Sequence, residues 1–162
     1  MAKDLLIRPV VHMISGFLRP RGYRKRGLTF WRDIGSVRQL VNLQRGTSST
    51  SVEVHFTLNL AVLCPKTLAS WEPEFSVWSA PWSARIGLFD ASRNDKWWHA
   101  KSEKEATEAA AEIFHLLSSA LLVVEDIDSL AKLIEVLRNG EYGVQLSDLV
   151  REKYINRLEL LK

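Results

Sequence analysis

From Val52 to Leu63 the chain alternates apolar and polar residues: Val52, Val54, Phe56, Leu58, Leu60 and Val62 against Glu53, His55, Thr57, Asn59 and Ala61. A period of two puts one set on each face of an extended strand. The apolar set must be covered by something, and the segments before and after supply candidates. The polar set forms a second face, where a site would have to lie.

Upstream, Leu5, Val10 or Val11, Ile14, Phe17 and Leu18 recur at helical spacing, which predicts a helix from Asp4 to Leu18, stopped by Pro20 and Gly22. Pro9 is compatible with that helix near its first turn. Gly22–Gly27 reads as a tight basic connector. Thr29–Asp33 and Val37–Arg45 read as two further strands. Short connections make the three strands an antiparallel meander. Matching apolar faces sets Val41 and Leu43 beside Val54 and Phe56, with Asn42 and Gln44 on the face of His55, Thr57 and Asn59.

Beyond Cys64-Pro65, residues 66–83 lose periodicity and read as an ordered loop. Arg85–Phe89 reads as a fourth strand, and Trp97-Trp98-His99 as a short fifth one. Five of the six tryptophans fall between Trp71 and Trp98. From Ser102 the pattern is helical. Ser102 and Glu105 form a capping-box pair ahead of a stripe from Ala106 to Val124. Asp126 or Asp128 is expected to cap a second helix ending at Gly140. A third helix opens at Leu146 and Ser147 and carries Leu149, Val150, Tyr154, Leu158 and Leu161.

The expected fold is therefore α+β in a single domain over 1–162: an N-terminal helix, an antiparallel meander sheet of four to five strands, and a C-terminal helical group covering one sheet face. The length of 162 residues suits one core. The apolar runs are short for a membrane span, and no secretory leader pattern opens the chain, so no membrane partner is expected. The lone cysteine, Cys64, forms no intrachain disulfide, fits a reducing compartment, and reads as a structural thiol. A bacterial-type, cytoplasmic protein is the expectation.

Charge is uneven. Residues 1–45 hold ten Lys and Arg against Asp4 and Asp33, so the remainder is acidic within a net charge of +3. The basic segment 19–45 raises nucleic-acid binding as one reading, with Trp31 stacking a base; the plainer reading pairs it with acidic helices.

Catalytic motifs are missing: there is no nucleophile elbow, phosphate-binding glycine loop or His-Glu-x-x-His. No zinc spacing exists, and Asp90-x-Ser92-x-Asn94 departs from a calcium loop at Asp95 and Lys101. Neither metal nor cofactor is expected. What remains is a polar-aromatic face formed by Asn42, Gln44, His55, Thr57, Asn59, Arg85, Trp97 and Trp98. It reads either as solvated outer surface or as a groove for a partner. The leading functional expectation is a non-enzymatic binding module for a protein partner. The alternative is a small-ligand protein or enzyme, with His55 as the one catalytic candidate and Arg85 holding an anion.

Gly22-Tyr23-Arg24-Lys25-Arg26-Gly27, Thr29-Phe30-Trp31-Arg32, Val41-Asn42-Leu43-Gln44, Phe56-Thr57-Leu58-Asn59-Leu60, Arg85-Ile86-Gly87 and Asp95-Lys96-Trp97-Trp98 follow one another in an order that resembles the bacterial family called domain of unknown function 4304. Tyr23 stands where that family usually has phenylalanine. The resemblance covers about residues 1–125, implies a single α+β domain, and brings no established activity and no catalytic residues. Residues 126–162 form a helical extension beyond it.

Overall fold

The computed structural model describes residues 2–140, 143 and 146–162. Helix α1 (Ala2–Leu18) is followed by strands β1 (Arg24–Arg26), β2 (Thr29–Ile34), β3 (Val37–Arg45) and β4 (Val54–Leu63). Strands β5 (Trp82–Arg85) and β6 (Trp98–Ala100) come next, then helices α2 (Glu103–Asp126), α3 (Leu130–Asn139) and α4 (Asp148–Glu159). The sheet is antiparallel in the order β1-β2-β3-β4-β5, and β6 pairs with the first residues of β4. The fold is α+β, as the sequence predicts.

The basic connector is itself a strand. Gly27 takes a left-handed φ of 60°, which folds Arg24–Arg26 back onto β2 with Arg26 opposite Thr29. Two residues, Gly27 and Leu28, make the hairpin loop, and glycine carries the backbone shape that other residues resist.

Strands β3 and β4 keep the expected faces but not the expected pairs. Val41 lies opposite Leu60 and Leu43 opposite Leu58. The slide is four residues, an even number, so no side chain changes face. It arises because residues 46–53 make a wide polar loop, closed by Gly46 N–H donating to the His55 carbonyl at 2.8 Å. The start of β4 pairs on its other edge with β6, His55 facing His99.

The fourth strand is earlier than expected. Trp82 and Ala84 alternate with Ser83 and Arg85 in β5, and Ile86–Phe89 leaves the sheet as a 3-10 turn. Gly87 explains the exit: a Cβ there would stand 2.1 Å from the Asn94 carbonyl, so 86–89 is pressed against the backbone of 94–96.

Helices α1 and α2 cover the face bearing Val54, Phe56, Leu58, Leu60 and Val62, all fully buried. Helix α2 buries the eight residues its stripe predicts, from Ala106 to Val124. Ser102 Oγ accepts from Glu105 N–H, while the Glu105 carboxylate accepts from Lys101 N–H, one residue short of a reciprocal box. In α1 the buried stripe is Ile7, Val10, Ile14 and Leu18, and Leu5 faces solvent. Pro9 sits well inside α1, past the first turn. Ser129, rather than an aspartate, caps α3, and Gly140 ends it at φ 67°. Ser147 caps α4, which buries Ile155 and Leu158 but leaves Leu149 exposed. By length and a mean hydropathy of 1.4, α2 meets the composition of a membrane span, contrary to the reading from run lengths; here its apolar stripe is packed in the core.

A buried side-chain amide enters this core. Gln39 is fully buried, and its amide donates to the carbonyls of Val124 and Ile127 at 2.8 and 3.1 Å. Its Oε1 accepts from Arg32 Nε at 2.7 Å and from the Tyr23 hydroxyl at 3.3 Å. Arg32 also pairs with Glu125. Carbonyls at a helix end lack intrahelical donors, so Gln39 fastens the end of α2 to the middle of the sheet. Burial holds the Tyr23 phenol well above its ordinary range.

Candidate functional site

The opposite face of the sheet is divided into rows that run across the strands. In the first, Leu40 and Ala61 pair across β3 and β4. With Leu63 they form a second apolar cluster, covered by Val77 and Ala80 of the loop 65–81. The expectation of a wholly polar face therefore fails here, because that loop folds onto it.

The next row is polar from end to end. Arg26 pairs with Thr29, Thr29 with Asn42, Asn42 with Asn59, and Asn59 with Arg85. Five strands each contribute one residue, and cross-strand partners share a face. Four interstrand steps of about 4.8 Å make the row about 19 Å long between end Cα atoms. Asn42 Nδ2 donates to Thr29 Oγ1 at 2.9 Å, and Asn59 Nδ2 donates to Gln44 Oε1 at 2.8 Å. Each asparagine retains its carbonyl oxygen as a further acceptor. Asn59 is almost completely buried, whereas Asn42 and Gln44 are half-buried.

The third row holds Gln44 opposite Thr57. Thr57 is fully buried, and its hydroxyl donates to the Lys96 carbonyl at 2.7 Å, so the segment 94–97 roofs this row. Trp97 lies across Gly46, where a Cβ would stand 3.2 Å from its ring. Its indole donates to Asp95, which also binds both oxygens to Arg85 Nη1, at 2.8 and 3.1 Å. The Arg85 guanidinium lies 5.2 Å from the Trp97 ring centre.

Trp98 is elsewhere. As the partner of Phe56 it faces the helices, is buried, and donates to Glu112 at 2.6 Å. Lys96 bonds the same carboxylate and, with Trp98, holds it below the ordinary range. Trp98 thus ties β6 to α2 and takes no part in the outer face.

His55 stands beside Glu53, Nε2 to Oε1 3.6 Å, and 6.0 Å from the His99 ring. Arg85 pairs with Asn59, four residues along β4 from His55, which is about 13 Å at 3.3 Å per residue. His55 and Arg85 are not brought together around one ligand-sized point. Among the described residues, no three His, Cys, Asp or Glu side chains gather as a metal site.

The basic residues are mostly engaged. Arg38 pairs with Asp33 and Glu74, Arg45 with Asp4 of α1, and Arg32 with Glu125 in the last turn of α2. Trp31 is flanked by Arg24 from the β1 side, at 4.3 Å, and by Arg38 from the β3 side, at 4.8 Å. It also touches Phe75. Lys25 lies on the opposite face, near Phe30. The three cations of β1 therefore do not form one patch.

Comparison with protein families matches residues 14–126 to the family described as domain of unknown function (DUF4304). The chain belongs to that family. Searches of curated proteins and of solved structures gave no match. The DUF4304 match spans the whole polar row and ends with α2, so α3 and α4 lie beyond it. Sequence reasoning found the middle of the row and its Arg85 end. It missed Arg26 and Thr29: three basic residues between glycines read as a connector, whereas the two-residue spacing from Arg26 to Thr29 is a hairpin signal.

Proposed function

We propose that this DUF4304 chain is a non-enzymatic binding module whose outer sheet face takes a protein partner. The observation that carries this reading is the polar row between Arg26 and Arg85, set beside a loop that exposes Trp71 and Trp78, 81% and 70% accessible. Tryptophan and arginine are favoured interface anchors, and large exposed aromatics cost a monomer solubility without contributing to its core. Asparagine is poorly suited to central strands, so a pair of them facing each other in β3 and β4 fits a recognition role.

The test is recovery of partners from native lysate by the wild type and by a Trp71→Ala, Trp78→Ala variant. Both side chains are solvent-facing, so the variant should keep its melting temperature within about 2 °C. Specific proteins retained by the wild type should be lost from the variant. Identical recovery by both, or recovery of none, overturns the reading.

A further inference from the structure

We infer that the partner of this face is an extended segment of about six residues that is acidic at one end, an inference that rests on the binding-face reading above. The width of the open row sets the shape. On β4 the covered residues on either side, Ala61 and Thr57, are four residues apart, about 13 Å before side-chain thickness is subtracted. A helix with side chains is about 10–12 Å across and does not seat in what remains, whereas a single extended chain does. The row length of about 19 Å corresponds to roughly six extended residues. Asn42, half-buried in the middle of the row, keeps a carbonyl oxygen that suits a main-chain N–H of such a segment, with the buried Asn59 beside it as support.

The charge is set at the β1 end. Residues 19–26 hold five Lys and Arg and no acidic residue. Arg24 and Arg26 both point to the outer face, stacked on Trp31 and on Phe75 at 4.3 and 5.3 Å. Among the described residues neither meets a carboxylate, although Arg32, Arg38, Arg45 and Arg85 each do. A guanidinium stacked on a ring keeps its in-plane donors free and oriented, which matches a carboxylate in two-point contact. At the other end Arg85 is already neutralised by Asp95. The face is thus basic at one end and neutral at the other. A nucleic-acid strand, uniformly charged and in need of open rings, fits it less well, since Arg24 and Arg38 flank Trp31.

An array of random hexapeptides probed with the full chain tests this. Bound peptides should be enriched in Asp and Glu toward one terminus, and affinity should fall as salt rises. Arg24→Ala with Arg26→Ala should weaken the best acidic hexapeptide about tenfold or more. Because loss of binding alone could reflect misfolding, Arg24→Glu with Arg26→Glu supplies a gain: it should switch the preference to Lys-rich and Arg-rich hexapeptides. Binding without acidic enrichment, or enrichment unchanged in the reversed variant, overturns the inference while leaving a binding face. Absence of any bound hexapeptide also overturns it, and the lysate experiment then judges the face separately. Tighter binding of oligo(dT) than of any hexapeptide assigns the surface to nucleic acid instead.

Discussion

On the helix side of β4, Val54, Phe56, Leu58, Leu60 and Val62 share one continuous core with α1 and α2. On the loop side, Ala61 and Leu63 join a small cluster, Asn59 sits in a polar row, and Thr57 bonds the backbone of Lys96. The same strand is thus dry on one face and graded from apolar to polar on the other. The stability of this fold therefore resides mainly on the helix side, which frees the loop side to carry residues that a strand would not otherwise favour.

The widest separation between the faces should come from truncating their apolar residues. Phe56→Ala is expected to cost about 3–5 kcal/mol and Leu60→Ala about 2–5 kcal/mol, read from denaturant midpoints. Leu63→Ala in the smaller loop-side cluster should fall near the low end, about 2 kcal/mol, because its loop cover can collapse onto the gap. Equal losses on the two faces would mean that both carry the fold's stability alike.

A smaller effect should come from Gln39, the polar intruder on the helix side. Gln39→Leu leaves the Ile127 carbonyl without the amide donor, the Val124 carbonyl with only the Ile127 N–H, and Arg32 Nε without the Gln39 oxygen. About 2–3 kcal/mol of stability should be lost, and amide exchange should accelerate first at the last turn of α2. A neutral result would mean that water replaces the amide there.

The helix side was largely legible in the sequence. Its signals are periodic, and the α2 stripe from Ala106 to Val124 could be read residue by residue. Gln39 was not legible, although it shares the parity of Val41 and Leu43, because its partners are carbonyls some 85 residues away that no pattern announces. The loop side was half legible. Parity placed Asn42 and Asn59 together, but nothing in residues 66–83 showed that Val77 and Ala80 would cover Leu40 and Ala61. The sequence reading sets both Trp97 and Trp98 on the outer face, but neighbours in an extended chain point to opposite faces, and the pairing of Trp98 with Phe56 turns Trp98 to the helices.

Acid should expose a modest link between the faces. The Lys96 ammonium first, and the Trp98 indole second, hold the Glu112 carboxyl below its ordinary value of 4.5. A group whose pKa is lower in the folded chain contributes stability above the unfolded value and loses it as pH falls through the folded one. Stability should therefore drop as pH falls below about 4.5. Glu112→Gln should flatten that dependence, with an effect below about 1 kcal/mol because the carboxylate is half exposed. A pH profile identical in wild type and variant would show that the contact adds nothing.

On this reading the facing asparagines, Asn42 half-buried at the surface and Asn59 buried beside it, serve recognition rather than stability. Asn42→Val with Asn59→Val exchanges poor strand formers for good ones of similar size, and the Gln44 oxygen left by Asn59 is half exposed and reaches water. Denaturant unfolding of this double variant, measured beside its partner binding, is the most direct test. Stability should stay within about 1 kcal/mol of wild type or rise above it, with binding lost. A loss of more than about 2 kcal/mol would make the polar row a structural element and contradict the claim.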